Sequence, residues 1–77
     1  MVKPTRVTNS IRSLRFAQGE MTQADLAQRI GVTRQTVIAI EQGRYSPSLE
    51  MAFQIARVFG VRLDEVFQYP DEAEEER

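Results

Sequence analysis

Residues 23–41 read QADLAQRIGVTRQTVIAIE, and the spacing within them decides the fold. Apolar side chains fall at Leu26, Ala27 and Ile30, then at Val32, Val37 and Ile40, so each half carries one inward stripe at helical spacing. Two such stripes bury themselves by packing on each other. Ala27 faces the second helix, where a larger side chain would push the pair apart. Gly31 falls where the first helix must end on a residue that tolerates a left-handed backbone. Thr22 with Asp25 forms a capping pair for the first segment, and the Thr33 hydroxyl caps the second. The stretch reads as a helix-turn-helix.

On the N-terminal side, residues 1–7 mix Lys3, Pro4 and Arg6 without periodicity and read as a frayed or extended arm. A first helix is expected from about Asn9 to Gln18, with Ile11 and Leu14 on its inner face and Gly19 closing it. The linker Gly19-Glu20-Met21 places Met21 as a cover over the core ahead of the Thr22 cap. On the C-terminal side Gly43 breaks the third helix, leaving Arg44-Tyr45-Ser46-Pro47 as a loop whose backbone amides are expected to be free. Ser48 caps a fourth helix that is expected to bury Leu49, Ala52, Ile55, Ala56 and Phe59. Gly60 ends that helix, with Val61 making an apolar contact back onto its last turn. A short fifth helix, about Leu63 to Gln68, adds Val66 and Phe67, and Pro70 with the acidic run behind it stops regular structure. There is no internal repeat. The expectation is an all-α fold of five helices in one domain, residues 8–69, between the arm (1–7) and an acidic tail (70–77).

The chain resembles the Cro and phage-repressor type of helix-turn-helix regulators, also called the xenobiotic-response-element family. The resemblance rests on Gln23, the pair Ala27 and Gly31, the stretch Thr33-Arg34-Gln35-Thr36 and the exit Ile40-Glu41-Gln42-Gly43-Arg44. It continues through Pro47-Ser48-Leu49-Glu50 and Ala56-Arg57-Val58-Phe59-Gly60-Val61, covering roughly residues 6–68. Such a long ordered string is more specific than a helix-turn-helix alone. It implies a compact five-helix, lambda-repressor-like DNA-binding domain that acts on operator DNA as a homodimer. The linker at Gly19-Glu20-Met21 is one residue longer than the commonest form of the family, a departure expected to change loop shape and not topology.

At 77 residues and 42% hydrophobic, the chain fits one small domain, without room for a ligand-sensing module, and no small-molecule ligand or cofactor is expected. With neither cysteine nor histidine, disulfides, thiolate metal sites and imidazole chemistry are excluded. No apolar run approaches the roughly 20 residues that span a bilayer, and no signal-peptide core follows Met1-Val2-Lys3-Pro4. The expected location is the cytoplasm. The formal charge of −1 argues superficially against nucleic acid, but its distribution reverses that reading. Residues 71–77 hold five acids against Arg77, whereas residues 1–70 carry nine bases against six acids, a net +3. Up to Arg44 there are seven bases against three acids, so positive charge concentrates in the half that carries the motif.

Arg34 and Gln35 occupy the first turn of the third helix, the part that enters the major groove in the family, and both side chains can pair with a base edge. Ile38 and Ala39 lie outward or at the margin of that face. Ile38 can meet a thymine methyl or tuck into a neighbouring helix, and small Ala39 lets the helix sit deep in the groove. These four are the candidate base-reading residues. Gln23 opens the second helix, where a free amide and the helix dipole attract a phosphate, and its side chain can also brace Gln35 or Arg34. Thr36, Arg44 and Ser46 are further candidate phosphate contacts. Tyr45 can lie on the sugar-phosphate backbone or simply cover the loop beneath it. The resemblance implies that Arg15 and Glu41 form a partly buried structural ion pair. The apolar residues Leu63, Val66, Phe67 and Tyr69 are the expected dimer interface.

These readings converge on a sequence-specific DNA-binding regulator, a repressor acting by occupying an operator as a homodimer. Catalysis is not expected, since no nucleophile stands with a base and the carboxylates are scattered. The rival is a protein-interaction module, such as the antitoxin partner of a toxin, suggested by the apolar C-terminal stretch.

Overall fold

The computed structural model describes residues 5–70; the expected tail from residue 71 and the first residues of the expected arm lie outside them. Five helices form: α1 (Ile11–Ala17), α2 (Gln23–Ile30), α3 (Arg34–Glu41), α4 (Leu49–Phe59) and α5 (Leu63–Val66). Their starts follow the capping chemistry written in the sequence. The Thr22 hydroxyl accepts from the Asp25 amide at 3.0 Å while the Asp25 carboxylate accepts from the Thr22 amide at 3.3 Å. The Thr33 hydroxyl accepts from the Thr36 amide at 3.2 Å, and that of Ser48 from the Met51 amide at 3.1 Å. Each bond satisfies a donor that the first helical turn otherwise leaves orphaned.

The fold is mostly helical, with one short ladder beside the five helices among the described residues. Two short strands, β1 (Thr8–Asn9) and β2 (Phe67–Gln68), pair antiparallel with Thr8 opposite Gln68 and Asn9 opposite Phe67. The first helix therefore starts two residues later than expected, and the fifth stops at Val66. The reason is where backbone donors find partners. The Ser10 amide donates across the ladder to the Val66 carbonyl at 2.8 Å, and Phe67 is extended at φ −122°, ψ 139°.

α2 ends at Gly31, whose φ of 76° is left-handed, with the Val32 amide returning to the Ala27 carbonyl at 3.0 Å. A methyl group on Gly31 would meet nothing within 4 Å, so the cost of a side chain there is conformational alone. Gly31→Ala is expected to lower stability by about 1–2 kcal/mol, read from urea unfolding, and a variant as stable as the parent would contradict this account of the turn. The linker after α1 turns through left-handed backbone at both Gly19 and Glu20, and the Met21 amide then bonds back to the Arg15 carbonyl at 2.9 Å. Met21 is thereby delivered into the core.

That core is built by Ile11, Leu26, Val37, Ile40, Ile55 and Val66, all essentially inaccessible, with Met21, Ala27, Ile30, Ala56 and Phe59 around them. Burying each large aliphatic side chain stabilises by about 1.5–3 kcal/mol, so a handful sustains so small a domain. Two expectations are corrected here. Leu49, the first residue of α4, is 68% exposed and faces away from the buried stripe of Ala52, Ile55, Ala56 and Phe59. Val66 is 0% exposed: it plugs the core and offers a partner no surface. Among the described residues no helix is long and apolar enough to cross a membrane.

Candidate nucleic-acid interface

Val37 and Ile40, 1% and 2% exposed, turn one face of α3 inward, and helical periodicity then decides what faces out. Arg34 and Gln35 are exposed on its first turn, while Ile38 and Ala39 are half-buried at the margin. Thr36 is half-buried as well, with its hydroxyl 3.1 Å from that of Thr33 at the cap. Beyond α3, Arg44, Tyr45 and Ser46 are exposed in the loop. One expectation for that loop is corrected: the Arg44 amide is not free, because it donates to the Ala39 carbonyl at 3.0 Å while Gly43, at φ 74°, donates to Ile40. The exit of α3 is closed by the chain itself, and any anion reaching Arg44 meets its side chain.

The helix is held at its far end by a hub on Glu41. Arg15 Nε donates to Glu41 Oε2 at 2.6 Å and Nη2 to Oε1 at 3.2 Å, with both side chains 9% exposed. The remaining guanidinium nitrogen, Nη1, donates to the Met21 carbonyl at 2.8 Å. A planar guanidinium meeting a carboxylate with two parallel bonds fixes distance and angle together. Gln23 joins this hub, its Nε2 donating to Glu41 Oε1 at 3.1 Å. Its amide thus braces Glu41 and not Gln35 or Arg34. The hub therefore ties the end of α1, the start of α2 and the end of α3 into one unit.

An open cleft of about 730 Å³ runs along this unit, and Arg12, Arg34, Gln23 and Gln42 stand among its lining side chains. Its walls hold three cations against Glu20 and Glu41, and Glu41 is already engaged by Arg15. Arg12 was not singled out from the sequence. Its guanidinium lies 5.6 Å from the centre of the Phe16 ring, which is half-exposed one helical turn on. The i, i+4 spacing of Arg12 and Phe16 is the signal that was available.

A second groove, of about 660 Å³, is lined by Val7, Pro47, Leu49, Leu63, Phe67 and Tyr69 among others. Leu63 and Phe67 are half-buried there, while Leu49 and Tyr69 stand out at 68% and 61% exposure. Arg62 and Asp64 mark its rim, 3.2 Å apart. The hydrogen bond and charge of Arg62 hold the exposed Asp64 carboxyl below its ordinary range, and the same contacts raise Arg62.

The helix-turn-helix family model matches residues 11–66, from the first residue of α1 to the last of α5. The chain belongs to the helix-turn-helix family of Cro and phage-repressor type. An uncharacterised HTH-type transcriptional regulator of Methanocaldococcus jannaschii is 56% identical over 52 residues, 68% of this chain and 79% of that one. The HTH-type transcriptional regulator YgzD of Bacillus subtilis, also uncharacterised, is 42% identical over 83% of this chain and 96% of its own length. The Vibrio cholerae cryptic phage CTXphi transcriptional repressor RstR is 36% identical over 77% of this chain, which spans about half, 52%, of RstR. Among solved structures, a hypothetical transcription factor, NHTF, from Neisseria superposes with a TM-score of 0.66 at 29% identity, over 71% of this chain and 61% of that one. In this family member the helix-turn-helix is α2, the turn at Gly31 and α3.

Proposed function

We propose that this helix-turn-helix protein is a sequence-specific transcriptional repressor that occupies a near-palindromic operator as a homodimer in the cytoplasm. The observation that carries the reading is the outward first turn of α3, with Arg34 and Gln35 exposed above a helix face locked by Val37 and Ile40. In this reading the domain, residues 8–69, has the lambda-repressor-like fold, and α3 enters the major groove. Arg34 takes a guanine edge or Gln35 an adenine edge through paired hydrogen bonds, and Ile38 meets a thymine methyl while Ala39 allows close approach. Arg44, Ser46, Tyr45, Thr36 and Gln23 hold the phosphate backbone and fix the register, without reading sequence.

The second copy docks, in the same reading, on the groove of Leu49, Leu63, Phe67 and Tyr69. A domain of this size reads a short half-site whose contacts discriminate weakly across a genome, so two copies are needed for operator specificity. The groove supports this occupant because Leu49 and Tyr69 stand exposed in it beside half-buried Leu63 and Phe67, and its rim carries one cation and one anion, so a two-fold copy meets no single-sign field.

Base reading and backbone holding are separable by mutation. Arg34→Ala and Gln35→Ala are each expected to cost about 1–3 kcal/mol on the preferred operator and to relax preference at particular base pairs. Arg44→Ala is expected to weaken all sequences alike and to flatten the salt dependence by about one phosphate contact. Binding titrations against a panel of single-base operator variants distinguish the two. Arg34 and Gln35 variants that kept the parent's full sequence profile would place the reading face elsewhere.

A further inference from the structure

We infer that Asn9 is a positioning residue for DNA recognition, tying the exit of α3 to the C-terminal segment that carries the apolar groove. The inference rests on the reading of α3 as the recognition helix. Asn9 sits on β1 opposite Phe67, and its neighbour Ser10 bonds the Val66 carbonyl, so its backbone is fixed to the end of α5 and to β2. Its side chain uses both ends of the amide. The carbonyl oxygen Oδ1 accepts from the Ile11 amide at 3.1 Å, opening α1. The nitrogen Nδ2 donates to the Ile40 carbonyl at 3.0 Å and, more distantly, to the Glu41 carbonyl at 3.4 Å. Those carbonyls belong to the last two residues of α3, at the negative end of its dipole.

The amide at this position has chemistry that close substitutes lack. Aspartate keeps the acceptor for Ile11 but has no donor, and its charge would face the helix carbonyls. Alanine provides neither. Asn9 is therefore a second hold on α3, on its backbone, beside the hold of Arg15 on the Glu41 side chain. A recognition constellation needs placing within about 0.5 Å, and an eight-residue helix fixed at its exit carries that placement to Arg34 and Gln35 at its entry. The route from the groove is continuous: Phe67 in the groove wall, the β1–β2 ladder, the Asn9 amide, the end of α3.

The test uses Asn9→Asp and Asn9→Ala in the full chain. Affinity is measured for the selected operator and for an unrelated duplex of the same length, dimerisation by sedimentation, and amide hydrogen exchange at Gly43 and Arg44, which close the exit of α3. Both variants are expected to lower the operator-to-unrelated affinity ratio at least tenfold and to speed exchange at Gly43 and Arg44, with dimerisation unchanged. Asn9→Asp retains the acceptor for the Ile11 amide, so it separates the two roles of the side chain. If that variant keeps the parent's ratio and exchange rates, Asn9 only opens α1 and the inference is overturned. An equal loss on operator and unrelated duplex overturns it too, as a general destabilisation. Should the parent itself select no operator, the repressor reading fails, and hydrogen exchange in Asn9→Asp still decides whether Asn9 holds the exit of α3.

Discussion

Truncating Arg15 to alanine is expected to lower the stability of the domain by about 3–5 kcal/mol, with a fall in melting temperature of at least about 15 °C. The pair it forms with Glu41 is nine-tenths buried, and Arg15 spends all three guanidinium nitrogens on it and on the Met21 carbonyl. Removing the guanidinium leaves the Glu41 carboxylate buried with, among the described residues, Gln23 Nε2 donating to it. A lone buried carboxylate is the expensive half of such a change. Domains of this size have about 4–12 kcal/mol in total, so the loss removes a large fraction of it. Replacing both partners with apolar side chains of similar volume, Arg15→Met with Glu41→Leu, is expected to recover much of the stability, because nothing charged is then stranded. The double variant would still have lost the angle at which α1 and α2 grip the end of α3, so its operator affinity is expected to stay below the parent's. Thermal unfolding and DNA titration of the single and double variants together check both halves. A single variant as stable as the parent would mean that the pair contributes nothing to folding.

The second large effect concerns the groove. Charging its two most exposed apolar residues, Leu49→Glu with Tyr69→Asp, is expected to leave the fold intact, since neither side chain belongs to the buried cluster. Position 49 opens α4, where an added carboxylate is tolerated by the helix dipole. Two like charges facing their own copies across a two-fold axis would oppose association. Losing the second half-site removes contacts to at least two or three base pairs, each worth about 1–3 kcal/mol, so operator affinity is expected to fall by about a thousandfold. Affinity for an isolated half-site would be unchanged. Sedimentation gives the oligomeric state and titration the affinity. A parent that remains monomeric at high micromolar concentration would leave this face for a different protein, the antitoxin-like arrangement.

The helix-turn-helix was legible because its signals are local. Caps at Thr22, Thr33 and Ser48, the left-handed Gly31 and Gly60, and the stripes of Leu26, Ile30, Val37 and Ile40 each follow from residues within a turn or two of one another. What was hidden depends on residues far apart in sequence. The β1–β2 ladder joins residues 60 positions apart through two-residue strands, too short to show alternation, so its residues read as helix ends. Val66 and Phe67 looked alike as apolar neighbours, yet one is the plug of the core and the other half-open in the groove. Only the point where α5 gives way to β2 distinguishes them. Leu49 fits the α4 stripe by spacing, and its position at the helix start turns it outward instead. The hydrogen bond from Gln23 to Glu41 and the double use of the Asn9 amide involve polar side chains whose partners no periodicity announces. Arg34 and Gln35 could be placed on an outward turn from sequence because Val37 and Ile40 fix the inner face by default.

Selection of bound sequences from a pool of random duplexes at low salt, followed by titration of the winner at rising salt, tests the proposed function most directly. The expected result is an enriched, near-palindromic site whose half-sites lie about one turn of DNA, roughly 34 Å, apart, bound with affinity that falls steeply with salt. A pool that emerges without enrichment, from protein shown to be folded, would contradict the assignment of sequence-specific repression.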